Sequence, residues 1–102
     1  MTMSLDLLEA KINSWGYDKG ILPNPDAVKQ FFKTQEEVDE LYAAIRTDNR
    51  EEVKDAIGDI FVTLCMQCPA WNLTMAECVE HAYSIISKRT GKMVNGQFVK
   101  DK

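Results

Sequence analysis

From Ser4 to about Tyr17, Leu5, Leu8, Ile12 and Trp15 recur at steps of three and four, the spacing that lines one side of a helix. The stretch GYDKGILPNP then carries two glycines and two prolines, which stop a helix from continuing. Asn24 followed by Pro25 predicts a new start, because Asn caps free backbone N–H groups and Pro fits the first helical turn. A second helix runs from there to about Arg46, with Val28, Phe31, Val38, Leu41 and Ile45 on one broad side and Lys33, Glu36, Glu37 and Glu40 on another.

The polar break Thr47, Asp48, Asn49 predicts a cap by Asp48 or Asn49, with Glu51 or Glu52 completing a capping box. Helix three covers about Arg50 to Cys68 and ends at Pro69. Its later part, Ile60 to Met66, is apolar on nearly every side, the pattern of a helix held in a core or at a subunit interface. Thr74 with Glu77 forms a further capping box, opening helix four through about Lys88 with Val79, Ala82, Ile85 and Ile86 as its apolar stripe. Asn95-Gly96 between two short apolar arms is a strong hairpin signal. The expected architecture is all-α, a four-helix bundle with a short C-terminal β-hairpin tail, and residues 1–102 form one domain.

Composition narrows the classes. A hydrophobic fraction of 45% and a charged fraction of 27% belong to a chain that folds around a core. The formal net charge of −4 argues against a nucleic-acid partner, which calls for a basic face. With no apolar run of membrane length and no leader pattern, the expectation is a cytoplasmic protein with no membrane partner. Cys65, Cys68 and Cys78, an odd number, fit reduced thiols. The Cys65-Met-Gln-Cys68 pair lacks the second pair that a structural zinc site needs. His81, the one histidine, excludes a di-iron bundle built on two ExxH motifs.

The chemistry sits in two acidic stripes. At about 100° per residue, Glu36 and Glu40 project within roughly 40° of one another, and Glu37 within roughly 60° of Glu40. On helix three, Glu52, Asp55 and Asp59 stack at the same steps, and Asp59 directly precedes the apolar run. Taken alone, EEVDEL reads as a solvated face. Two stripes on neighbouring antiparallel helices read instead as a site for magnesium, a hard cation that takes carboxylate and phosphate oxygens.

EExxEL on one helix, followed by KDAIGDIFVTL on the next, resembles the MazG-like branch of the all-alpha nucleoside triphosphate pyrophosphohydrolases. The opening KINSWGYDKGIL and the closing KRTGKMVNGQFVK are similar to small stand-alone members, many of them from phages, so the resemblance covers nearly the whole chain. It implies Mg2+, with Mn2+ as a substitute, held by Glu37 and Glu40, with Glu36 as a nearby ligand or water-positioning group and Asp59 as the ligand from helix three. The family's usual partner of that Asp, a Glu, falls on Ala56 here, and Asp55 is the carboxylate placed to compensate.

The implied reaction cuts a nucleoside triphosphate into monophosphate and pyrophosphate, in the service of nucleotide-pool housekeeping, with Glu36 or Glu37 as the catalytic base. Lys33 and Arg89 are the first candidates to contact the phosphates, with Lys19 and Lys92 next, against the plainer reading of each as a solvated charge. Trp15 is a candidate wall for the base, and both Trp15 and Tyr83 read equally well as packing. A homo-dimer or homo-tetramer is expected from the Ile60–Met66 run and from the state of the relatives. The competing reading, motivated by Ala56, is a helical oligomerisation or regulatory module of the same fold with weak or absent activity.

Overall fold

The computed structural model describes residues 2–102. Four helices and a hairpin follow one another: α1 (Leu5–Asp18), α2 (Ala27–Arg46), α3 (Arg50–Gln67), α4 (Met75–Ile86), β1 (Gly91–Val94) and β2 (Gln97–Lys100), with a 3-10 turn at Cys68–Trp71 between α3 and α4.

Each helix begins where a side chain takes up an orphaned N–H. Ser4 accepts from Leu7 N and Asn49 from Glu52 N, both at 3.2 Å. Thr74 and Glu77 form the reciprocal capping box that their spacing predicts. At α2 the expected start on Asn24-Pro25 gives way to Asp26, whose carboxylate accepts from Lys29 N at 3.0 Å and places a negative charge at the helix's positive end. Of the two candidates before α3, Asn49 is the cap, while Asp48 takes the left-handed backbone (φ 53°) that turns the chain. Pro69 does not end the helical path outright, because the 3-10 turn carries Cys68 to Trp71 past it before Asn72, also left-handed at φ 57°, closes it. Helix α4 stops at Ile86, two residues before Lys88.

The short link Thr47–Asn49 folds α3 back antiparallel to α2, and this pair is the body of the molecule. Ala44 and Ala56 are both buried, and small side chains there let the helices approach closely. Farther along, Thr34 Oγ1 donates to Thr63 Oγ1 at 2.8 Å, and Gln67 Nε2 donates to the Ala27 carbonyl at 2.9 Å. Helix α1 packs on the other flank of α3, where Leu22, Cys65 and Met66 form the buried core with Ile12, Ile21, Phe61 and Met75 around it. Gly16 is required there, since a Cβ would come within 2.6 Å of Met66 Sδ and 3.2 Å of Leu22 Cδ1.

Within the apolar run Ile60–Met66, Cys65 and Met66 are fully buried, Ile60, Phe61 and Val62 are half-buried, and Leu64 is exposed. Helix α4 joins the rest through its first turn: Met75 N donates to Glu9 Oε2 at 2.9 Å, and Met75 lies against Cys68. Every residue from Val79 to Lys102 is exposed. The hairpin pairs Met93 with Phe98 and Lys92 with Val99, turning at Asn95 (φ 51°) and Gly96 (φ 80°), the left-handed pair that a two-residue hairpin turn requires. Among the described residues, no helix is long and apolar enough to cross a membrane.

Candidate metal centre

The site is set by the register of α2 against α3. Once the Thr47–Asn49 turn fixes that register, Glu37 and Glu40, one helical step apart, meet Asp59 from the opposite helix. One carboxylate oxygen from each lies within 4.8 Å of the others. Glu37 is half-buried, while Glu40 and Asp59 are exposed. Glu37 Oε2 is shut off from solvent with no hydrogen-bond partner.

Like charges this close repel, and no ion pair among the described residues offsets them. Among the described residues the ion pairs are Lys33–Glu36 at 3.4 Å, Arg50–Glu51 at 3.4 Å and Lys54–Glu51 at 4.0 Å, none of them involving the three converging acids. The Glu37 carboxyl is accordingly held above its ordinary value. Desolvation is the main cause, and the neighbouring Glu40 carboxyl and the charges of Glu40, Asp59 and Glu36 act in the same direction. An all-carboxylate donor set of this kind fits a hard divalent cation such as Mg2+ or Mn2+.

Two concavities meet at Asp59. One, about 360 Å³, is a cleft between α2 and α3 lined by Glu40, Ala43, Glu52, Asp55, Ala56 and Asp59. The second, of the same volume, lies between α1 and α3 and is walled by Leu8, Ile12, Trp15 and Val62, with Lys11 and Asp59 at its edge. A carboxylate-lined trough and an apolar, aromatic one thus share Asp59.

The sequence-predicted residues separate on this geometry. Glu37, Glu40 and Asp59 come together. Asp55 lines the same cleft as Glu40 and Asp59 but is not one of the three carboxylates that converge, and Ala56 forms part of the cleft's buried floor. Glu36 is also outside the trio, because its carboxylate is engaged with Lys33. Lys33 is on the acidic side of α2 as its spacing indicates, yet it faces Glu36. Trp15 lines the apolar trough. Lys19, Arg89 and Lys92 line neither cavity, the last two because they lie on the exposed C-terminal segment.

Lys11 was not among the predicted site residues. Its position four before Trp15 on α1 is the signal that could have found it, since that spacing sets both on one face. Asn13 Oδ1 is a second buried oxygen without a partner, and nothing in the geometry explains it. Cys65 and Cys68 are far from reactive. Burial, with smaller contributions from Glu9 and Cys68, pushes the Cys65 thiol up to about 12, and burial with the neighbouring Cys78 pushes Cys68 up to about 11.

Fold and site together define a mainly helical protein with a candidate divalent-cation centre on an antiparallel helix pair. Comparison with known proteins adds one relative: an uncharacterised 18.2 kDa protein from the rep–hol intergenic region of Haemophilus phage HP1 (strain HP1c1), 33% identical over 60 residues. That stretch is 59% of this chain and 37% of the phage protein, so the chain matches little more than a third of its relative's length. No family model and no solved structure matches.

Proposed function

We propose that this chain is a magnesium-dependent nucleoside triphosphate pyrophosphohydrolase, releasing monophosphate and pyrophosphate. The observation that carries the reading is the uncompensated trio Glu37, Glu40 and Asp59 with a buried, unpartnered oxygen on Glu37. A structure that sets three carboxylates together, with no ion pair to any of them among the described residues, gains stability when a divalent cation joins them. The resemblance of EExxEL and the DAIGD stretch to the MazG-like enzymes supplies the reaction, and the adjoining trough supplies room for a base.

Glu37, Glu40 and Asp59 would hold the ion, with Mn2+ as a substitute for Mg2+. When bound, a divalent cation neutralises the triphosphate and acidifies a coordinated water. The chain's own groups divide the rest of the work. Trp15, with Leu8, Ile12 and Val62, walls the trough and excludes water from a bound base. Lys11, which lines the same trough as Asp59, is the cation nearest at hand for the phosphates. Glu36 lies outside the trio but close enough to act on Glu37 through its charge, and its exposed carboxylate, on giving up the pair with Lys33, accepts a proton from the attacking water.

Incubating the chain with Mg2+ and a panel of canonical and modified nucleotides tests this. Equimolar pyrophosphate and monophosphate from at least one of them, lost in Glu40→Ala, is the expected outcome, and activity unchanged by that substitution removes the site assignment. One observation favours a second reading. Ala56, 3% exposed, occupies the cleft floor where the related enzymes place a carboxylate. A helical module without turnover would show no pyrophosphate release and no gain in thermal stability from Mg2+.

A further inference from the structure

Three sulfur atoms meet at the start of α4, on residues that the carboxylate centre does not use. Cys68 caps α3 and opens the 3-10 turn, and the Leu73 N–H returns to the Cys68 carbonyl at 3.0 Å. That return brings the first turn of α4 back to Cys68. The Cys68 thiol donates to Met75 Sδ at 3.5 Å, and the Cys78 thiol is its other hydrogen-bonding neighbour. Met75 and Cys78 stand three apart on α4 and share one face, which is why both reach the same side chain.

Cys and Met also pack as plain apolar groups, so one buried sulfur against another is an ordinary core contact. Spacing and access go beyond that. A metal–sulfur bond is about 2.3 Å, so three sulfurs around one trigonal ion stand about 4 Å apart. Cys68 and Met75 are already near that separation. Cys78 is half-buried and lines a cavity of about 440 Å³ together with Leu73, Glu77 and His81, so an ion can reach it from solvent.

The donors select the ion. Glu9 and Glu77 are the carboxylates whose charges reach Cys68, and both are engaged: Glu9 accepts from Met75 N at 2.9 Å and Glu77 from Thr74 N at 3.1 Å. Among the described residues, the carboxylate trio is the one group of three His, Cys, Asp or Glu that converges. Neither His81 nor Cys65 therefore completes a set with Cys68 and Cys78, and the four ligands of a zinc site are not present. Two thiols and a thioether without a hard donor suit a soft monovalent ion. We propose that Cys68, Cys78 and Met75 form a binding site for Cu(I), entered from the cavity beside His81. As the ion binds, each thiol gives its proton to solvent, and no electron is transferred.

Anaerobic titration of the reduced chain with Cu(I), in competition with a chromophoric Cu(I) chelator, tests the site. The expected result is one ion withdrawn from the chelator per chain. Cys78→Ser and Met75→Leu should each weaken binding on the order of tenfold or more, while Cys65→Ala leaves it unchanged. Cys78 is half-buried and Met75→Leu nearly conserves volume, so helix content should hold in both, and the test does not depend on a variant of the buried Cys68. No uptake by the wild type, or uptake unchanged in Cys78→Ser, overturns the site. Equal losses in Cys65→Ala and Cys78→Ser overturn the assignment to Cys78 over Cys65, and uptake unchanged in Met75→Leu overturns the part given to the thioether. Displacement of Cu(I) by equimolar Zn2+ overturns the choice of a soft ion. The titration uses neither nucleotide nor Mg2+, so its failure is distinct from failure of the hydrolase reading.

Discussion

The α2–α3 hairpin and the C-terminal arm, from Val79 through the β-hairpin, are both amphipathic, but they meet water differently. In the hairpin, a three-residue turn with Asn49 as cap brings the faces of two long helices together, and the seam closes on Ala44 and Ala56. The arm has an equally well-made start, the Thr74–Glu77 capping box, yet its stripe faces solvent. Good local signals therefore make a helix in both places, and only a partner surface makes a buried one. The acidic trio belongs to the closed region because two helices must be held in fixed register before carboxylates from both can converge.

The sharpest contrast between the regions is in the cost of truncation. Met66→Ala, at a core position 1% exposed, should cost about 2–5 kcal/mol, read by thermal or denaturant unfolding. Ile86→Ala, at an exposed position, should cost less than about 1 kcal/mol. Equal losses in the two variants would abolish the distinction. Gly16→Ala comes next, at about 1–3 kcal/mol, since its Cβ would meet the buried Met66 Sδ at 2.6 Å with little space for the thioether to retreat.

Caps probe the same contrast more gently. Asn49→Ala and Thr74→Ala each remove a side-chain acceptor from a helix start, worth about 1 kcal/mol. Only the first sits between the helices that position the site, so only Asn49→Ala should also weaken Mg2+-dependent stabilisation. Measuring the two variants with and without Mg2+ checks this.

The smallest expected effect is a pH dependence. Glu37's carboxyl is raised in the folded chain, so the fold binds that proton more tightly than the unfolded chain does. Its contribution to stability is present below the ordinary carboxylate range and is lost as pH rises through the raised value. Without metal, the melting temperature should therefore fall modestly across that window. Saturating Mg2+ or the Glu37→Gln substitution should flatten the fall, and a rise across the window would contradict the cause assigned here.

Much of the secondary structure can be read from side-chain spacing, because helix starts depend on single residues: Ser4, Asn49 and Thr74 each stand where a cap is needed. Asn24-Pro25 gave the wrong start for α2, since two acceptors lay within three residues and the charged Asp26 forms the better cap. Pro69 does stop α3, as its missing N–H requires, and what the rules for α-helices leave unread is the 3-10 turn that follows. The acidic stripes were visible in the spacing, and the resemblance, not the spacing, singled out Glu37, Glu40 and Asp59, the three acids that converge. Spacing along α2 treats Glu36 and Glu37 alike, while the tertiary register draws Glu37 toward Asp59 and leaves Glu36 to Lys33. The exposure of the arm was invisible for a similar reason, as an apolar stripe carries no record of whether its partner is in the same chain.

The cation site itself is tested most directly by titrating Mn2+ into the wild-type chain and into Glu40→Ala, each with a nonhydrolysable nucleoside triphosphate present, and recording binding calorimetrically. Saturable binding in the wild type, weakened at least tenfold in Glu40→Ala with helix content intact, is the expected result. Identical isotherms for the two proteins, or no binding in either, would contradict a metal centre at Glu37, Glu40 and Asp59.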